Sequence, residues 1–329
     1  FNMSVYSNGY QGISARYVSS AVTSGDRDTA PIGVVPRISG LNGNGNTLTL
    51  NTQVKEYADD DYHAASVGGV FNLLHSATTC NIQNLTLTGT DKSTGVSLQY
   101  YTEAGKITDA ASADWKYGSY QFRNNVGVGG IAGSTSNVSA SKHYEADIKL
   151  QKIQQNKMTI KSPASAGGLI GNAGRWAGSA LKQNNRKNPA ENIAVLIQPW
   201  SWICSVSADF QNCQYSDLIV TGQYEAGGFL GYSHSEWNTT VNAIHITNSE
   251  FVVGKNTEIT ATRDTSYAGG AFGYVDRIVH INNENANKVA KWENIVIRAN
   301  VYSGGVIGRI GNGGKYENII GKIEIKDAV

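Results

Sequence analysis

Charge is scarce in this chain of 329 residues: Asp, Glu, Lys and Arg make up 16% of it and cancel to a net +1. An ordinary globular domain carries about 25%. With no basic excess there is nothing to neutralise phosphates, which excludes a charge-driven nucleic-acid binder. Apolar residues at 40% and only five Pro argue equally against disorder. Long hydrophobic runs are missing too. The longest are Ile193–Ile197 and Phe251–Val253, so no membrane insertion is expected. Met is absent from position 1, and no basic stretch followed by an apolar segment opens the chain. No signal peptide is visible, and the sequence reads as a processed protein or a piece of a longer one.

Glycine, by contrast, is abundant: 37 residues, about 11% against a usual value of about 7%. Much of it falls in one repeat: small residue, Gly, Gly, two apolar residues, Gly. Its copies begin at the pairs Gly129-Gly130, Gly167-Gly168, Gly227-Gly228, Gly269-Gly270 and Gly304-Gly305. An earlier copy at Gly68-Gly69 ends in Asn72 instead of Gly. The first glycines are spaced by 61, 38, 60, 42 and 35 residues. A second pattern, apolar-x-Asn-apolar-x-apolar, is centred on Asn84, Asn192, Asn294 and Asn318, with Asp217 and Ala243 as variants. Two offsets tie it to the glycine pairs: 10 from Asp217 to Gly227 and from Asn294 to Gly304, and 16 from Gly68 to Asn84 and from Gly227 to Ala243.

Both patterns alternate apolar residues over short stretches rich in Ile, Val, Leu and Thr, a strand signal. Similar short strands recurring at a few tens of residues suggest a solenoid whose coils bury their apolar faces by stacking. Glycine weakens a strand, so a repeated pair implies a bend or a backbone passing too close for a side chain. Asn suits a sharp corner, and stacked coils would align these amides in a ladder shielded from solvent. The expected fold is therefore all-β, a right-handed parallel β-helix with extruded loops. The competing reading is an antiparallel sandwich, which would show turn signals every 8–12 residues and needs no matching motifs. A single domain over 1–329 is expected, with N-terminal coils in 1–66 and glycine-pair coils in 67–329. The intervals near 60 leave room for an additional coil, a loop, or both, with loops placed at Gly95–Arg123 and Asn172–Asn188. Roughly ten to twelve coils would make a rod of roughly 50–60 Å.

With its trailing Asn strand, the glycine-pair motif resembles the GLUG-type repeat of bacterial surface proteins, over about residues 67–325. That repeat occurs in large adhesins and in the N-terminal regions of some immunoglobulin-A-specific metallopeptidases. The resemblance implies a secreted or wall-attached bacterial protein at the cell surface, with a stalk-like β-helical region and no catalytic residues to carry over. The His-Glu-x-x-His run of those peptidases is absent: His143 precedes Tyr144-Glu145 and His234 precedes Ser235-Glu236.

Few residues suggest chemistry. Asp59-Asp60-Asp61 could offer oxygens to Ca²⁺ but reads more simply as a solvated turn. The six His show no metal-ligand spacing, and His245, between Ile244 and Ile246, should face outward. Cys80 and Cys213 each stand nine residues before a glycine, Gly89 and Gly222, and read as buried hydrophobes in one shared slot. A Cys204–Cys213 disulfide is conceivable, though three free thiols are preferred. No catalytic, metal or cofactor residues are assigned. Aromatic residues give the candidate ligand-binding set: Tyr100, Tyr101, Trp115, Tyr117 and Tyr120 in one segment, and Trp176, Trp200 and Trp202 in another. Such side chains anchor interfaces and suit sugar rings, or else seal the core as a lid. The expectation is a monomeric adhesin-type binding module presenting loops to a host protein, such as immunoglobulin or mucin, or to a glycan. The alternatives are a polysaccharide lyase or glycosidase on a β-helix, or the accessory region of a surface metallopeptidase.

Overall fold

The computed structural model describes residues 3–7, 14–18, 40–57, 66–75, 80–101, 107–108, 126–136, 148–173, 208–233, 243–247, 252–275, 278–282, 289–311, 315–316 and 322–328. Over these residues the chain is all-β. Its strands fall into three sheets of 14, 7 and 6 strands. Every pairing among the described residues is parallel except Gly95–Tyr101 with Ile107–Thr108.

Sheet 2 consists of the three-residue strands that lead into each glycine pair: Ser66–Gly68, Gly127–Gly129, Ser165–Gly167, Glu225–Gly227, Tyr267–Gly269 and Tyr302–Gly304. Sheet 3 holds the strands that follow: Phe71–His75, Ala132–Ser136, Ile170–Ala173, Leu230–Ser233, Phe272–Val275 and Ile307–Ile310, with Ser14–Val18 beside the first. Sheet 1 holds the long strands, including Gly40–Tyr57, Cys80–Gly89, Ile148–Lys161, Gln214–Gly222, Val252–Ala261 and Val289–Arg298. Successive copies of the motif are direct neighbours, so Gly68 pairs with Gly129 and Gly167 with Gly227. The intervals of 61 and 60 residues therefore add no coil. The deepest stack of described strands is eight, about 35 Å at ordinary strand spacing, short of ten to twelve coils. The surplus chain goes into connections, and these differ from expectation: Gly95–Tyr101 is a strand, and the later connection joins Ala173 to Ala208.

Each turn between sheets 2 and 3 is hydrogen-bonded to the next copy. Gly168 N donates to Gly227 O (3.0 Å), while Leu169 N (3.0 Å) and Ile170 N (2.9 Å) both donate to Phe229 O; the last two bonds recur from copy to copy, whereas Gly130 N and Gly228 N donate to the second glycine of the next pair, Gly168 O and Gly270 O. The three glycines of a copy have three separate reasons. A Cβ on Gly167 would strike Ile170 O, one on Gly168 would strike Gly228 O and the Gln155 amide, and one on Gly171 would strike the Val128 backbone of the preceding copy. Asn72 takes the last position in the first copy, where no described sheet 2 strand precedes it. There its Oδ1 accepts from Gly68 N at 3.2 Å.

Alternation in the long strands sends one face inward. Ile148, Leu150, Ile153, Met158 and Ile160 are buried while their neighbours Lys149, Gln151, Gln154, Thr159 and Lys161 are not. The interior is aromatic in its middle coils: Phe210 stacks on Phe229 at 5.2 Å, and Tyr215 meets Phe229 edge-on at 5.3 Å. Tyr215 donates to Gly270 O, and its burial raises its pKa above the usual phenol value.

The corners correct the second repeat. Asn84 and Asn294 do adopt left-handed backbone, with φ of 54° and 52°, but they belong to different columns. Strand register places Asn84 with Asn44, Lys152 and Asn212, and Asn294 with Lys157, Asp217 and Asn256, all with φ near +50°. The offset of 10 marks a true equivalence; the offset of 16 does not, because Ala243 pairs with Ile278 well ahead of the corner. The ladder is also discontinuous and faces outward. Asn84 Nδ2 donates to Asn42 Oδ1 (3.1 Å) and Asn294 Nδ2 to Asn256 Oδ1 (3.2 Å), both bonds exposed, with lysines and an aspartate filling other rungs. Asn192 and Asn318 lie outside the described residues.

Candidate functional site

Three surfaces of the stack are candidates. The first is the corner between sheets 3 and 1. Every connection from a described sheet 3 strand to the next sheet 1 strand leaves here: 19–39, 76–79, 137–147, 174–207, 234–242, 276–277 and 311–314. The strands on either side of each connection stack in sequence order, so the longest, 174–207, is anchored between 137–147 and 234–242. Trp176, Trp200 and Trp202 belong to that longest connection and lie outside the described residues. Tyr100 and Tyr101 sit elsewhere: they end a sheet 1 strand, beside Glu56 and Tyr57, at the corner that leads to sheet 2. Trp115, Tyr117 and Tyr120 follow in the connection from that corner and also lie outside the described residues. The two aromatic groups thus leave the stack at different corners.

The second surface is the seam where sheets 2 and 3 meet. Its lower part carries small polar groups: Ser66 and Ser134 hydroxyls bond at 2.6 Å, and Ser165 Oγ donates to the fully buried Glu225 Oε2 at 2.8 Å. Its upper part is aromatic. Tyr232 stacks on Tyr274 (5.1 Å) and Tyr267 on Tyr302 (5.7 Å). Arg309 donates to Tyr267 Oη and lies 4.9 Å from that ring's centre. The row ends in Tyr302, 53% exposed, with Val301 beside it at 42%. A ring face backed by a guanidinium can take a sugar or another planar group. Sequence reading missed this cluster because Tyr267, Tyr302 and Arg309 look unrelated until coils one repeat apart are superposed.

The third surface is the outer face of sheet 1. Gln151 Nε2 donates to Gln211 Oε1, and Gln211 Nε2 donates to Asp209 Oδ2 at 2.6 Å. His245, the register partner of Asp209, is half-buried between the buried Ile244 and Ile246. Among the described side chains no group of three or more His, Cys, Asp and Glu is gathered as a metal site. Asp59-Asp60-Asp61 lies outside the described residues.

The two described cysteines are buried free thiols. They do not share a slot. Cys80 pairs with Ile148, whereas Cys213 falls opposite Ile153, because Gly89 and Gly222 close different corners of the coil. Burial pushes the Cys80 thiol up to about 11 and that of Cys213 up to about 12. Cys213 Sγ donates to Leu150 O at 3.1 Å. Neither is placed for nucleophilic chemistry. Cys204 lies outside the described residues.

Comparison with known proteins finds no matching family model, no matching curated protein and no matching solved structure.

Proposed function

We propose that the three parallel sheets form a right-handed β-helix resembling GLUG-repeat regions, and that the protein is a binding module of the bacterial cell surface. In this reading the coils are a rigid support, and the chemistry of recognition lies in the connections that leave it. Right-handed winding follows from the preference of parallel crossovers. The partner is a host protein or a glycan, engaged by Trp and Tyr of the connections.

One observation carries this reading: the long connections 137–147, 174–207 and 234–242 leave one corner in consecutive layers. The chain between described strands is thus longest in adjoining coils at one place, and connections on rigid scaffolds commonly carry binding. The segment 174–207 also brings Trp176, Trp200 and Trp202 to that corner.

The test replaces residues 176–205 with a short Gly-Ser linker. Intact and shortened proteins are compared on immobilised mucins, immunoglobulins and a glycan array. Binding by the intact chain and its loss from a shortened chain of unchanged melting temperature is the expected result. Equal binding by the two, or none by the intact chain, overturns the proposal. Release of reducing ends from a polysaccharide panel would replace it with the enzymatic alternative.

A further inference from the structure

At the upper end of the seam, register sets a cation among three tyrosine rings. Tyr274 pairs with Arg309 along sheet 3, and Tyr267 with Tyr302 along sheet 2. The Arg309 guanidinium lies 4.9, 5.5 and 5.9 Å from the ring centres of Tyr267, Tyr274 and Tyr302. It donates to Tyr267 Oη, and no carboxylate among the described residues pairs with it. Ring faces attract a cation without neutralising it. One bond to a hydroxyl also leaves most of the N–H donors of a planar guanidinium unclaimed. Arg309 is half-buried, so its charge is screened less than that of a fully solvated side chain. What the group lacks is an anion.

Tyr302 supplies a second, independent feature. One face of its ring stacks on Tyr267 at 5.7 Å and an interplanar angle of 13°. Its strand is the last of sheet 2 among the described residues, so no described strand covers the other side. The residue is 53% exposed, and with Val301 it makes up the exposed large hydrophobic surface of the described residues. An open aromatic face takes the flat C–H face of a pyranose, whose hydrogens are drawn to the negative face of the ring. The guanidinium fork beside it matches the two oxygens of a carboxylate. A neutral sugar would use the ring alone, and an acidic peptide side chain the fork alone. A sugar that carries a carboxylate uses both.

We propose that Tyr302 and Arg309 form a binding site for a carboxylate-bearing sugar, a hexuronate or a sialate, with the sugar ring on Tyr302 and the carboxylate on Arg309. The site lies in the seam of sheets 2 and 3 and does not depend on the role given to the connections.

Isothermal titration of the whole chain tests it, with trigalacturonate and sialyllactose as acidic probes, galactotriose and lactose as their neutral counterparts, and tetraglutamate as an acidic peptide. Far-ultraviolet circular dichroism must be unchanged in each variant. At least one acidic sugar should bind saturably, more weakly as salt is raised, and its neutral counterpart about tenfold less well, the difference made by one charge-assisted hydrogen bond. Arg309→Gln should remove the preference for acidic over neutral sugar, a change that a merely structural role for this residue would not produce. Arg309→Lys keeps the charge without the fork and should retain part of the preference. Tyr302→Ala should weaken acidic and neutral sugars alike, while Tyr302→Phe and the distant Arg298→Gln should change neither. Failure of the folded chain to bind either acidic sugar, equal binding of acidic and neutral partners, or tighter binding of tetraglutamate than of both acidic sugars would overturn the assignment, the last in favour of an acidic peptide.

Discussion

At the scale of single residues, the backbone of this protein is crowded where the repeat is strictest. Gly171 faces main-chain atoms of Gly127 and Val128, which cannot move aside as a flexible side chain would. Gly171→Ala should therefore cost about 3 kcal/mol or more, the upper range for overpacking. Gly45, by contrast, has a φ of +76° and nothing within 4 Å of an added Cβ. There alanine meets only the left-handed penalty, about 1 kcal/mol. Urea denaturation of the two variants separates crowding from conformation, and similar losses would contradict the packing account.

The thiols make a second prediction at this scale. Both described cysteines have pKa values raised on folding, to about 11 and about 12 from 9.0. A group raised in this way contributes stability that is complete below its unfolded pKa and is lost as pH climbs toward the folded one. Stability should thus decline above about pH 9, where thiols of the unfolded chain ionise and those of the folded chain stay neutral. A Cys80→Ala, Cys213→Ala double variant should show a shallower alkaline decline by thermal melting. In the native protein at pH 8 both thiols should resist a disulfide reagent.

Elements are governed by their corners. A long strand of sheet 1 turns where one residue enters the left-handed region, and at Lys152 and Lys157 that residue is a lysine. A long side chain there bears a backbone cost that Asn or Gly largely avoids. Lys157→Asn should stabilise the protein by about 0.5–1 kcal/mol, while Asn294→Val should destabilise it by about 2 kcal/mol because β-branched residues fit that region worst. Equilibrium denaturation reads both, and a destabilising Lys157→Asn would mean that the corner is held by more than backbone preference. Motif reading found Asn84 and Asn294 yet merged two columns into one. A lysine at a left-handed corner carries no signal in an Asn pattern, although Lys157 keeps the same offset of 10 from Gly167 that Asp217 keeps from Gly227.

For the whole molecule, stability is passed from coil to coil. The turn amides of each copy donate to carbonyls of the next, through to Gly270, Ala271 and Phe272, which bond to Gly304 and Val306. Gly305, Val306 and Ile307 occupy the same positions in the last copy, and among the described residues no further copy follows. Their amides should exchange with solvent orders of magnitude faster than those of Gly168, Leu169 and Ile170 in the middle of the stack. Hydrogen exchange read by NMR measures this directly. Comparable protection at Gly305–Ile307 would show that something covers this end.

The amino-acid sequence by itself settled the repeating unit, the strand character of its parts and the positions where a side chain has no room. These follow from local rules: alternation, glycine geometry and the residues that suit a corner. The number of layers, the division of the corners into two columns, the separate slots of Cys80 and Cys213, and the pairing of Asp209 with His245 were decided by the tertiary structure. The physical reason is loop length. An interval of 60 residues and one of 35 both advance the stack by a single strand, so sequence distance does not tell which side chains become neighbours, and only hydrogen-bonded register does.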